Sequence, residues 1–453
     1  MESSLFVSTT NACKLCKPLG ACLAFKGIEG AVPMLHGSQG CATYMRRYII
    51  SHFREPMDIA SSSLGEKQAV YGGGPNLKQG LKNVMTKYGA GLVGVATTCL
   101  TETIGDDVPM IVKEFRREFH GESNANLPEL VTVSTPSYSG THIEGFHAAV
   151  RAVAEQMAEN EKPAPMVNLL PGFLSPADLR HLREILDDFG LPAVLLPDFS
   201  MTLDGPALDC YEKIPRGGTP LGEIRLMGGA KATLEFGRTI CGRQTAGEFL
   251  EQRFCVPLHR IGMPIGLRES DAFIDALEDL ADSARSERLL LERGRLVDSY
   301  VDAHKYLFGK RAVVYGDEDL VVGLSSFLAE IGVTPVICAS GGRSGRFQAA
   351  VEEVTGGILA TAPVVKEGLD FQQIEDLAAE ISPDVMIGHS KGYTLARKLG
   401  IPLIRVGFPI HDRFGGQRIL HVGYRGAQML LDRIVNAIIE KNQKDSSVGY
   451  GYM

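Results

Sequence analysis

The chain contains no tryptophan, and nothing else in the sequence accounts for that. Other absences exclude whole classes of function. No apolar run reaches the ~18 residues that a membrane-spanning helix needs. The opening Met1-Glu-Ser-Ser-Leu-Phe6 has neither the cationic start nor the apolar core of a secretory leader. No run of Lys and Arg stands out, and 46 basic residues face 54 acidic ones for a net charge of −8. With a sequence pI of about 5.8, this balance argues against nucleic acid or an anionic membrane as partner. Phosphate loops are missing too. Tyr71-Gly-Gly-Gly-Pro-Asn76 is not followed by Lys-Ser/Thr, and Gly341-Gly-Arg-Ser-Gly345 lacks the full Gly-x-Gly-x-x-Gly. Both read as plain turns. The expectation is a soluble, cytoplasmic protein.

With 453 residues, 44% of them apolar, the chain is long enough for two or three domains with sizeable cores. Short buried strands alternate with helices. Strands are expected at Ala31–Leu35, Leu92–Ala96, Glu129–Val133, Met166–Leu170, Ala193–Leu196, Ile224–Met227, Leu258–Ile261, Ala312–Tyr315, Val336–Ala339, Val385–Ile387 and Leu403–Val406. Helices are expected from Cys41 to about Phe53, over Ala177–Phe189, over Leu320–Ile331 and from Gly423 to about Glu440, with a surface helix pair in 269–308. Asn76 is a candidate N-cap. Strand–helix alternation of this kind is the signature of doubly wound parallel sheets.

Nine cysteines in a long chain without a leader are better read as core residues and metal ligands than as a disulfide framework. Three of them share a setting. Cys16 in Lys-Leu-Cys16-Lys-Pro-Leu-Gly-Ala, Cys41 in His36-Gly-Ser-Gln-Gly-Cys41 and Cys99 in Ala-Thr-Thr-Cys99-Leu-Thr-Glu-Thr each sit at the end of a segment beside small residues. Small neighbours admit a bulky ligand, and turns that run into helices lower thiol pKa. A structural zinc site and an ordinary four-iron cluster each want four ligands. Three thiols therefore fit a cluster completed by a partner chain.

The strings Cys16-Lys-Pro-Leu-Gly-Ala21, His36-Gly-Ser-Gln-Gly-Cys41, His52-Phe-Arg-Glu-Pro56, Thr97-Thr-Cys99-Leu-Thr-Glu-Thr-Ile-Gly-Asp-Asp107, Thr135-Pro-Ser137-Tyr-Ser-Gly140 and Arg405-Val-Gly-Phe-Pro-Ile410 resemble the β-type subunit of the nitrogenase component 1 superfamily. The match keeps order and spacing from about Asn11 to the C-terminus. It implies an α/β fold of three Rossmann-like doubly wound parallel-sheet domains: a cluster-binding unit over 1–145, a second with long helices over 146–310, and a third over 311–453. It further implies an oxidoreductase subunit in which Cys16, Cys41 and Cys99 supply half of an eight-iron, seven-sulfur P-cluster shared with an α-type partner. Ser137 is the position that can add an oxygen ligand on oxidation. The partners implied are that α-type chain, in an α2β2 heterotetramer, and an ATP-dependent iron protein. Electrons would pass to an iron–sulfur active-site cofactor in the α-type chain, with dinitrogen or the carbon–sulfur bonds of methylthio-alkanes as substrate. No catalytic residue is assigned to this chain. The alternative within the superfamily is a non-catalytic scaffold for iron–molybdenum cofactor assembly. The ending Val448-Gly-Tyr-Gly-Tyr-Met453 leans toward that branch or the nitrogenase-like reductases, whereas the full set of three cysteines leans away from the scaffold.

The remaining candidates take plainer readings. Cys13 supports the Cys16 loop or is a bystander, and Cys22, Cys210, Cys241, Cys255 and Cys338 are structural. His36 is expected to hydrogen-bond a cluster sulfur rather than ligate iron. Arg54 and Glu55 read as an interface or helix-end pair, and Asp317 and Asp319 as capping groups.

Overall fold

The computed structural model describes residues 11–122, 127–159, 162–240 and 245–449. Its strands gather into three sheets, all parallel. The first holds β1 (Ala31–His36), β2 (Ala60–Ser61), β3 (Leu92–Thr97) and β4 (Glu129–Val133) in the order β2-β1-β3-β4. The second holds β5 (Ala164–Leu170), β6 (Ala193–Leu195), β7 (Ala230–Phe236) and β8 (Leu258–Ile261), ordered β6-β5-β7-β8. The third holds β9 (Arg311–Gly316), β10 (Thr334–Ser340), β11 (Val364–Lys366), β12 (Val385–Gly388) and β13 (Leu403–Arg405), ordered β11-β10-β9-β12-β13. Central strands such as β1 and β3 are buried at every residue, because helices cover both faces of a parallel sheet.

The units are stitched together tightly. Helix Lys17–Lys26 crosses helix His142–Met157 at two glycines. A Cβ on Gly20 would lie 1.7 Å from the His142 carbonyl oxygen, and one on Gly145 would lie 1.8 Å from that of Lys17. Only glycine lets two backbones approach so closely. The C-terminal helix Gly423–Asp445 packs on the helices Leu267–Ala281 and Glu287–Leu307. There Arg425 reaches Glu184 (2.9 Å) and Glu292 (2.7 Å).

Two local expectations fail. Ile224–Met227 is not a strand; it lies in helix Leu221–Leu226 and the 3-10 turn after it. Ile224 and Met227, three apart, are both buried while Leu226 is exposed, a helical rather than alternating pattern. The strand of that region is β7. Asn76 does not cap its helix, which starts two residues earlier at Gly74 with Pro75 in its first turn, where a missing N–H does no harm. Asn76 instead donates to the Ser62 carbonyl.

Candidate functional site

The C-terminal edge of the first sheet carries three of the four predicted residues, Cys41, Cys99 and Ser137, after β1, β3 and β4. β1 ends at His36, and the turn Gly37-Ser38 leads into helix Gln39–Phe53 with Cys41 in its first turn. β3 ends at Thr97, and Thr98 caps helix Cys99–Ile104. The two turns touch. The Thr98 N–H donates to the His36 carbonyl (3.1 Å), and a Cβ on Gly37 would lie 2.2 Å from Thr98 Oγ1. β4 delivers the third loop. The Thr135 N–H donates to Thr97 Oγ1 (2.8 Å), and Glu102 Oε1 accepts from Thr97 and Ser134, both at 2.5 Å. The Ser137 backbone N–H then donates to the Cys99 sulfur at 3.2 Å.

Cys16 arrives from another direction. It is the N-cap of helix Lys17–Lys26, with Pro18 in the first turn. Leu15, just before it, accepts from the His142 N–H (3.1 Å), and Lys17 Nζ donates to Ser139 Oγ (2.9 Å). The glycine crossing therefore ties Cys16 to the loop that carries Ser137. It also faces the helix of Cys41. Burial, a hydrogen bond to Tyr48 and the charges of Tyr48 and Cys16 all raise the pKa of Tyr44, one turn beyond Cys41.

Cys16 and Cys41 are half-buried and Cys99 is exposed. All three lie at or within the first turn of a helix. Exposed Tyr138 lies beside them, so the thiols open onto the surface. Among the described residues, no three His, Cys, Asp or Glu side chains gather as one metal ion would require. The donor set is soft, spread over several loops and partly open. It fits a polynuclear iron–sulfur group finished by another chain better than a lone zinc ion.

His36 departs from its expected role. It is fully buried, with Nδ1 at 2.9 Å from Ser62 Oγ and Nε2 at 3.0 Å from Asp106 Oδ2. Burial lowers its pKa while the Asp106 hydrogen bond opposes that. With both ring nitrogens engaged, it braces the turn before Cys41 and offers no donor to a sulfur. Arg54 is left-handed (φ 62°) and its guanidinium reaches the His411 carbonyl rather than Glu55.

The other cysteines divide. Cys22 is buried, and Cys338 is buried against Ser325 Oγ at 3.3 Å. Cys210 and Cys255 are exposed, so burial is not the reason for them. Cys241 lies outside the described residues. Cys13 is buried in the core of the third unit, 3.7 Å from His389 Nε2.

A cavity of about 620 Å³ lies between the three units, lined among others by Lys14, Lys17, Arg151, Asp317, Glu318 and Arg343. Nothing in the sequence marked it, because its walls are assembled from all three units. The helix Glu318–Glu330 that follows β9 opens with acidic residues. A nucleotide phosphate needs free N–H groups there, so the third unit has the nucleotide-binding topology without the chemistry. Asp319 ties the second unit to the third, accepting from the backbone N–H of Arg238 (2.6 Å) and Thr239 (2.9 Å).

Comparison with known proteins adds three findings. Residues 16–439 match the family model described as nitrogenase component 1 type oxidoreductase. The nitrogenase molybdenum-iron protein beta chain of Clostridium pasteurianum is 34% identical over 439 residues, covering 96% of this chain and 94% of the relative. That of Methanothermobacter thermautotrophicus is 38% identical over 434 residues, covering 94% and 93%. The nitrogenase vanadium-iron protein beta chain of Trichormus variabilis is 34% identical, covering 93% and 92%. A chain of the solved structure "Nitrogenase Cp1 at pH 6.5" superposes with a TM-score of 0.95 at 32% identity, covering 100% of this chain and 98% of that one.

Proposed function

The chain belongs to the nitrogenase component 1 type oxidoreductases as a β-type subunit, and from that premise we propose that it relays electrons within such a complex. Cys16, Cys41 and Cys99 would supply its share of thiolate ligands to a P-type iron–sulfur cluster, completed by three more from an α-type partner. The observation that carries this reading is that Cys41 and Cys99 share one sheet edge, with the Ser137 N–H already aimed at the Cys99 sulfur, while Leu15 and Lys17 on either side of Cys16 are tied to the Ser137 loop and the helix after it.

Each residue has a task that its surroundings support. Cys16, Cys41 and Cys99 would bind iron as thiolates, the form a metal ligand takes. The Ser137 N–H to Cys99 withdraws charge from sulfur, and such hydrogen bonds raise the potential of an iron–sulfur centre. Ser137, whose backbone N–H meets Cys99, would be the residue that adds an oxygen ligand when the cluster is oxidised. When bound, the cluster would supply one- and two-electron storage at a potential set by these contacts. The chain offers no nucleotide loop, which agrees with a division of labour in which an iron protein hydrolyses ATP and the α-type chain holds the active-site cofactor. The complex would be an α2β2 heterotetramer.

Iron content and low-temperature EPR of the anaerobically co-purified complex test the proposal. About eight irons per αβ pair attributable to this cluster, lost on Cys41→Ala or Cys99→Ala, is the expected result. A four-iron cluster with a loosely held cofactor precursor would instead favour the assembly scaffold. Zinc without iron would overturn both.

A further inference from the structure

Residues 11–15 run over the third unit before the chain enters the first. Asn11 accepts from the Phe371 N–H (3.3 Å), and Ala12 forms an antiparallel bridge to Asp370. Cys13 packs so closely that a Cβ on Gly341 would lie 2.4 Å from its carbonyl oxygen. Lys391 Nζ then donates to the carbonyls on either side of Cys13, at 2.9 Å to Ala12 and 3.2 Å to Lys14. The next carbonyl, Leu15, is taken by His142. Cys16 follows at once. It is held from behind by the third unit and from ahead by the glycine crossing.

The loop that carries Lys391 is rigid. The Tyr315 hydroxyl donates to the His389 carbonyl (2.5 Å), and the Ser390 N–H donates to that of Pro409 (3.0 Å). The Ser390 hydroxyl donates to Asp412, which Arg405 grips through Nε (3.0 Å) and a second guanidinium nitrogen (2.7 Å). A Cβ on Gly392 would fall 2.1 Å from the Tyr315 hydroxyl. Among the described residues, the Lys391 ammonium has carbonyl partners and no carboxylate. Two carbonyls need donors but not a full charge, and burying an ammonium is unfavourable. Burial indeed lowers its pKa, and the nearby thiols of Cys13 and Cys16 act in the opposite sense. The ammonium sits 3.2 Å from the Lys14 carbonyl, two residues before Cys16, so it puts a positive charge on the loop that carries that thiol.

We infer that Lys391 is the positioning residue for Cys16. From the third unit it fixes the loop carrying this thiolate and sets a positive charge beside it, so that the third unit tunes the cluster. The inference rests on Cys16 being a cluster ligand.

The test uses the anaerobically purified complex with Lys391→Met, Lys391→Gln, Lys391→Arg and Cys16→Ala. The Met and Gln variants should hold their thermal midpoint yet lose iron to a chelator about tenfold faster, the usual scale for an outer contact of a metal ligand. Their cluster midpoint, followed by EPR in a redox titration, should move to lower potential, since a removed cation no longer disfavours the oxidised form. Lys391→Arg should restore both. Gln keeps a donor without charge and decides the matter if the Met variant fails to assemble. Unchanged potential and chelation rate in Met and Gln, with iron lost in Cys16→Ala, would overturn the inference alone. Full iron in Cys16→Ala would overturn the cluster reading beneath it.

Discussion

Replacing Gly20 by Ala is the sharpest test of how the site is held. The added methyl would lie 1.7 Å from the His142 carbonyl oxygen and 2.7 Å from the Phe146 nitrogen. Both are backbone atoms of helix His142–Met157, so no side chain can swing away. Reaching even a tight 3.0 Å contact requires the helices to part by roughly 1.3 Å, which forfeits much of the dispersion along the crossing. Overpacking a filled core costs about 1–3 kcal/mol and occasionally more, and a backbone-on-backbone clash belongs at the top of that range. About 3 kcal/mol corresponds to a drop of about 6–12 °C, taking 2–4 °C per kcal/mol for a domain of 150–250 residues. Differential scanning calorimetry of the first unfolding transition reads it. Gly222→Ala is the control, because it makes the same chemical change in helix Leu221–Leu226 with nothing within 4 Å. It should be neutral or gain up to about 1 kcal/mol. A Gly20→Ala protein melting within about 2 °C of the parent would refute the crossing as a rigid anchor for Cys16.

Other outcomes follow from the same packing. Cys210→Ala and Cys255→Ala, both exposed and away from the convergent loops, should leave iron content unchanged when Cys41→Ala and Cys99→Ala reduce it, as measured by metal analysis. Glu235 is buried and takes hydrogen bonds from Arg260 (2.7 and 3.2 Å) and Thr245 (2.8 Å). Glu235→Ala leaves Arg260 with Glu248 (3.1 Å) but takes the acceptor from Thr245 and Gly247, and should destabilise by about 1–3 kcal/mol, visible as a lower urea midpoint; an unchanged midpoint would disprove the pairing. Burial pushes His52 and His389 from 6.5 down to about 3. The unfolded chain therefore takes up these protons first, so stability present above pH 6.5 should fall as the pH drops toward 3. Denaturant midpoints at pH 7.5 and 5 check it, and equal values would count against buried neutral imidazoles.

The parallel sheets and the three cysteine loops were legible because each rests on local signals: short apolar runs, small-residue turns and caps. β7 was not. Its Glu235 and Thr233 break the apolar run, and the buried carboxylate is satisfied by groups that come later in the chain, Arg260, Thr245 and the Gly247 N–H. The two-residue β2 and three-residue β11 are edge strands too short to leave a pattern. The family pattern favours His36 as a sulfur's hydrogen-bond partner over a satisfied core histidine, yet Asp106, 70 residues away, claims its second nitrogen. Lys391 was invisible for the same reason, as its carbonyl partners lie 379 and 377 residues distant.

That separation bears on how the protein is made. The Cys16 segment is synthesised before the groups that hold it, His142 coming first and Lys391 much later. Until Lys391 emerges the segment has only its contacts to the His142 helix and the Ser139 loop, and pairings of such long sequence separation are slow to form. Iron delivered early would meet an unplaced ligand. On the proposed reading of Cys16 as a cluster ligand, a chain cut before Lys391 would lack that hold on it, and cluster insertion would follow completion of the third unit.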